Sequence, residues 1–78
     1  MNIKVIGTGC DKCDKLYDNT KLALDELGLN IEIEMVEDLI AMVKLGVMST
    51  PSLMIDGKLV VSGQVVKKEK IIKILNSL

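Results

Sequence analysis

STPSLMIDGKLVVSG, Ser49 to Gly63, holds the only proline of the chain and its strongest turn signal. Pro51 has no N–H to give a sheet ladder, so a strand accepts it only at its first residue, at an edge or at a bulge. It stands directly before SLMI, which predicts a strand over residues 52–56. Asp56-Gly57 follows, a pair suited to the two left-handed positions of a tight hairpin turn. Residues 59–62 then read as the return strand. Leu53-Met54-Ile55 and Leu59-Val60-Val61 are apolar without alternation, the pattern of strands covered on both faces. Taken alone, the Thr50–Pro51 bond is expected trans, because only about 5–6 % of X-Pro bonds in folded proteins are cis.

Upstream, residues 2–6 predict a strand through Ile3, Val5 and Ile6, and Gly7-Thr8-Gly9 breaks it. From Cys10 to Leu27 the apolar positions recur three and four apart, at Cys13, Leu16, Tyr17, Thr20, Ala23, Leu24 and Leu27. That is one face of a helix, and Gly28 ends it. Residues 31–36 alternate, with Glu32 and Glu34 between Ile31, Ile33 and Met35, which predicts a strand near a sheet edge. Residues 37–45 read as a short helix with acids in its first turn and Gly46 after it. Downstream of the hairpin, residues 66–78 predict a last helix with Ile71, Ile74, Leu75 and Leu78 on one stripe. No capping residue marks its start. The order is βαβαββα: an α/β chain with a four-stranded mixed sheet and helices on both faces. The first βαβ unit predicts a parallel pair with a right-handed crossover.

The chain has 78 residues, enough for a single domain spanning 1–78 and close to the lower limit for a core without staples. Its apolar fraction is 49 %, and Tyr17 is the sole aromatic residue, so the core must be aliphatic. Ten lysines oppose eleven acids, and there is no arginine or histidine. Without arginine, basic excess or a stacking surface, nucleic acid is not an expected partner. Without histidine no Cys-His nucleophile can be built. The first residues carry no apolar signal segment, and no apolar run is long enough to span a bilayer. The expectation is a cytoplasmic, monomeric protein that does not engage membranes. Met35, Met42 and Met54 read as gap-fillers of a core short of aromatics. Met48, two residues before Thr50, is the exception and a candidate for the rim of a site. The lysines of residues 67–73 read as the wet side of the last helix.

GTGCDKC, residues 7–13, contains both cysteines. In a reducing compartment, so close a pair points to redox chemistry or metal binding rather than a structural bridge. Cys10 falls where the first strand meets the first helix, and a helix N-terminus favours the thiolate. Its thiol is expected to titrate below the ordinary range, with Lys12 favouring the anion while Asp11 and Asp14 oppose it. Cys13 lies on the buried stripe, so the two sulfurs can meet across one turn. That suits an exchange in which Cys10 attacks a disulfide and Cys13 resolves the mixed disulfide. Gly7 and Gly9 would leave room for a substrate backbone at Cys10. The alternative use of the same sulfurs is metal. GTGCDKC is similar to the GMxCxxC loop of small copper carriers, and two thiolates are enough for linear Cu(I), though not for a tetrahedral zinc site in one chain. A redox-sensing adaptor is a third reading, and two packed thiols without a chemical role a fourth.

Cys10-x-x-Cys13 between strand and helix, Thr50-Pro51 opening the third strand, the Asp56-Gly57 hairpin and Gly63 before the last helix together resemble the thioredoxin-like superfamily. The likeness is to its short, glutaredoxin-like form, among the small redox-active disulfide proteins of bacteria and archaea, and covers nearly the whole chain. It implies a thiol–disulfide oxidoreductase whose only redox group is a Cys10–Cys13 disulfide, with no other cofactor and no metal. It implies a cis Pro51 lying against that disulfide, and a Thr50 backbone that pairs with substrate, with Gly9 and Gly63 alongside. Asp11, Lys12 and Tyr17 would tune the site. The implied partners are disulfide-bearing proteins or small thiols, with a thioredoxin-reductase-type flavoprotein as donor. The chain departs from thioredoxins proper in three ways: Gly9 replaces a tryptophan, Asp11-Lys12 separates the cysteines, and Lys4 stands near the place of a buried aspartate. The glycines and lysine that hold glutathione in glutaredoxins have no full counterpart. The copper carriers, by contrast, require the order βαββαβ.

Overall fold

The computed structural model describes residues 1–7 and 11–77; the readings placed on Gly9, Cys10 and Leu78 lie outside the described residues. Within them the chain runs β1 (Ile3–Ile6), α1 (Asp11–Glu26), β2 (Ile33–Val36), α2 (Leu39–Lys44), β3 (Ser52–Ile55), β4 (Lys58–Ser62) and α3 (Lys68–Asn76). The strands form a mixed sheet in the order β2-β1-β3-β4. β1 pairs parallel with β2, and β3 pairs antiparallel with both β1 and β4. A copper-carrier topology would need a hairpin directly after the first helix. Here α2 intervenes, and the described chain closes on α3.

Strand alternation sorts the apolar side chains into two layers. Ile3, Val5, Leu53 and Ile55 point to one face, where they pack with Leu16 and Leu24 of α1 and Ile71 of α3. Ile6, Val36 and Met54 point to the other and meet Met42 of α2 and Val47. The helices therefore cover both faces, unevenly: α1 and α3 press on one side, while α2 covers the other with a single buried residue, Met42. β3 is buried along its whole length, as its unbroken apolar run predicts.

β4 departs from that expectation. It is an edge strand, and Leu59 is 38 % exposed. Its apolar run has another cause. The register shifts between Leu53 and Met54, which pair with Val61 and Leu59 and leave Val60 as the extra residue of a bulge. A bulge breaks the alternation of side chains, so Val60 and Val61 both pack toward the α1–α3 layer. The hairpin itself follows the Asp56-Gly57 signal. Asp56 and Gly57 have φ of 51° and 81°, the two left-handed positions of a type I′ turn.

Three elements start two residues later than predicted. The second strand starts at Ile33 rather than Ile31, because only residues 33–36 find partners on β1. The acids expected in the first turn of the second helix stand before it: Asp38 is its N-cap, and its Oδ1 accepts from the Ile40 N–H at 3.1 Å. α3 starts at Lys68 instead of Val66, and its N-cap Lys67 makes no side-chain bond. The segment before it is held from outside instead, by Asn19 Nδ2, which donates to the Val66 carbonyl at 2.9 Å. α2 has six residues and little packing, so its cap should be measurable. Asp38→Ala is expected to lower stability by about 1 kcal/mol, seen as a lower urea midpoint at unchanged slope, with Asp38→Asn recovering most of the loss. An unchanged midpoint in the alanine variant would show that the cap contributes nothing.

Candidate functional site

Cys13 is the third residue of α1 and is 0 % exposed. The helical stripe that carries Leu16, Thr20, Ala23 and Leu24 into the core carries Cys13 with it, one turn nearer the N-terminus. Asp11 and Asp14 lie in that first turn, where negative charge is favoured by the unpaired N–H groups of a helix start. Asp11 and Lys12 are both exposed.

Two other elements end at the same place. β1 stops at Ile6, and the Gly7 N–H continues the parallel ladder with a 2.9 Å bond to the Val36 carbonyl. Gly7 is buried. A Cβ built on it would overlap the Cys13 Sγ, and would lie 3.0 Å from Cys13 Cβ and 4.0 Å from Pro51 Cα. The end of β1, the first turn of α1 and the start of β3 thus share one small volume, and the sulfur of Cys13 fills the space a Gly7 side chain would need. Sequence reasoning assigned that space to a substrate backbone. The correction has a simple cause: the helix bends back onto the strand it leaves, and its first buried side chain needs that space. Nor does a left-handed conformation require a glycine here, since Gly7 is not among the glycines with positive φ.

Pro51 is fully buried, and the Thr50–Pro51 peptide bond is cis. Thr50 and Ser49 before it are exposed, and Met48 stands 96 % exposed at the rim of the same loop. Ser52 follows as a fully buried hydroxyl that donates to the Ser49 carbonyl at 2.5 Å. Gly63, the residue after β4, lies against this loop. It has a φ of 69°, and a Cβ there would come within 3.0 Å of Ser49 Cβ.

Three predicted site residues are placed elsewhere or not described. Gly9 and Cys10 lie outside the described residues. Tyr17 is half-buried and packs against the α1–α3 layer as a core residue. Lys4 pairs with Glu34 and Met54, so alternation turns its side chain to the α2 face, opposite α1. Among the described residues, no three His, Cys, Asp or Glu side chains gather into a metal-holding group, and no helix is long and apolar enough to cross a membrane. Ser49, Ser52 and the packing role of Gly7 were missed. Only Ser52 left a trace in the sequence: one polar residue at the head of a strand otherwise apolar along its length, where burial demands a partner.

Comparison with known proteins follows the same pattern. Residues 1–76 match the family described as thioredoxin domain. The chain is 38 % identical over 76 residues to a protein named thioredoxin from Methanothermobacter thermautotrophicus, covering 97 % of this chain and 99 % of that one. It is 37 % identical over 75 residues to a thioredoxin from Methanocaldococcus jannaschii, covering 96 % of this chain and 86 % of the relative.

Proposed function

The chain belongs to the thioredoxin family, and from that premise and the site's geometry we propose that it is a thiol–disulfide oxidoreductase that reduces protein disulfides with a Cys10–Cys13 dithiol. The observation that carries this reading is the burial of Cys13 at the meeting of Gly7 and Pro51. A sulfur so enclosed cannot meet a disulfide on a folded protein. It can serve a second step, attack on the sulfur of Cys10, three positions before it in the sequence.

In the proposed cycle the Cys10 thiolate attacks one sulfur of the substrate disulfide. That bond breaks, and the other substrate sulfur leaves as a thiolate and takes up a proton. Cys13, deprotonated, then attacks Cys10 Sγ and expels the first substrate sulfur. Two electrons pass to the substrate, and the Cys10–Cys13 disulfide remains. An external dithiol or a thioredoxin-reductase-type flavoprotein returns the electrons. Thr50, an exposed residue before buried Pro51, would offer its backbone as a short edge on which an extended substrate segment can add as a strand, with Gly9 and Gly63 leaving space beside it. Asp11 and Lys12 set the charge around the helix start. The relatives' shared name supports the reaction class, and a reducing cytoplasm is the compartment where such a dithiol works.

The test is a redox titration of the purified protein in glutathione or dithiothreitol buffers, followed by reduction of insulin by the dithiol form. A reversible two-electron midpoint together with accelerated insulin reduction is expected. Tight 1:1 binding of Cu(I) with no exchange activity at any poise would overturn the reading in favour of a metal carrier.

A further inference from the structure

The hydroxyl of Ser52 is the one polar side-chain group of β3, and among the described residues it has a single partner. Ser52 is 0 % exposed and donates to the Ser49 carbonyl three residues upstream. It heads an inner strand of the sheet, opposite the last residues of its two neighbours, Ile6 on β1 and Ser62 on β4. An alanine would fill this position without a buried polar group to satisfy, and a buried hydroxyl is costly unless bonded. The bond therefore has to be explained by what it holds, and that is the exposed turn of Ser49 and Thr50.

The same turn is gripped from a second side. Gly63 follows Ser62, the β4 partner of Ser52, in a left-handed conformation. Its bare Cα lets the backbone close on Ser49, with a Cβ position 3.0 Å from Ser49 Cβ and 3.5 Å from Ser49 Oγ. Ser49 is thus fixed by a hydroxyl from the residue after Pro51 and by a backbone wall from the end of β4. Thr50, between Ser49 and buried Pro51, is left exposed with its peptide groups pinned at both ends.

We propose that Ser52 is a positioning residue for substrate docking: by holding the Ser49 carbonyl, its hydroxyl sets the orientation in which the Thr50 backbone meets an extended peptide. This rests on the reading of Thr50 as the docking edge. Ser52 takes no part in the electron transfer. Its loss should weaken the capture of a polypeptide disulfide and leave the chemistry of the sulfurs unchanged.

The experiment compares wild type, Ser52→Ala, Ser52→Val and Ser52→Thr, each first shown to unfold cooperatively. Insulin is the polypeptide substrate, and Ellman's reagent is a small disulfide that needs no backbone docking. Removing a buried hydrogen bond of this kind should raise KM for insulin about tenfold in Ser52→Ala, with kcat within about twofold of wild type. The rate with Ellman's reagent and the dithiol–disulfide midpoint should not move. Threonine and valine add similar volume, so the threonine variant should recover affinity for insulin where the valine variant does not. An unchanged KM in Ser52→Ala, an equal loss on both substrates, or identical behaviour of threonine and valine overturns the proposal while leaving the oxidoreductase reading intact. A wild-type protein that reduces neither substrate and shows no redox midpoint overturns both.

Discussion

Cys10→Ser is expected to abolish disulfide exchange, whereas Cys13→Ser should retain the first attack and accumulate substrate on the protein. The asymmetry comes from burial. Cys13 is 0 % exposed and its sulfur fills the space beside Gly7, so in the proposed cycle its replacement removes the resolving sulfur and leaves the entry of substrate untouched. A serine hydroxyl is not ionised near neutral pH and cannot displace a thiolate from the mixed disulfide, so the adduct persists. Mass spectrometry of Cys13→Ser incubated with a disulfide-bearing peptide should show one peptide bound through Cys10, released by dithiothreitol. Cys10→Ser should show no adduct and insulin reduction at the uncatalysed rate. Adducts carried by Cys13 in the Cys10→Ser protein, at wild-type speed, would reverse the assigned roles.

Gly7→Ala is expected to give the largest loss of stability for a single added carbon. The new Cβ overlaps Cys13 Sγ and lies 3.0 Å from Cys13 Cβ, an atom anchored to the backbone of α1. Gly7 cannot retreat without giving up its 2.9 Å bond to the Val36 carbonyl, and Pro51 Cα stands on the third side at 4.0 Å. Overpacking of this kind costs about 1–3 kcal/mol, which for a domain of this size lowers the melting temperature by roughly 5–20 °C. The loss should shrink when the sulfur is absent. In a Cys13→Ala background the same Gly7 substitution should cost less by about 0.5 kcal/mol or more, a coupling characteristic of residues in contact. An identical penalty in both backgrounds would mean that the sulfur does not occupy this space.

Much of the fold was readable because local and global signals agree here. The stripe of Leu16, Thr20, Ala23 and Leu24 is buried along α1 as its spacing predicts. Gly28 and Gly46 follow the first two helices with positive φ, and Asp56-Gly57 makes the turn it announces. The misreadings fall where the local pattern depends on a distant partner. Leu59-Val60-Val61 looked like a strand covered on both faces; a bulge opposite Leu53 and Met54 accounts for it. The third helix looked two residues longer because Val66 is apolar, yet its carbonyl is bound by Asn19, 47 positions away.

The order of elements, the topology that excludes a copper-carrier arrangement, and the burial of Cys13 on a helical stripe were all set by the sequence alone. Each depends on spacing within a few residues and on turn chemistry, which are local physics. The meeting of Gly7 with Cys13 and Pro51, the hydroxyl clamp of Ser52 on Ser49, and the approach of Gly63 to the same loop were decided only in three dimensions. No periodicity encodes them, because each is an interatomic contact made when three sheet elements and a helix end reach the same point. A glycine that turns a chain and a glycine that makes room for a sulfur are written with the same letter.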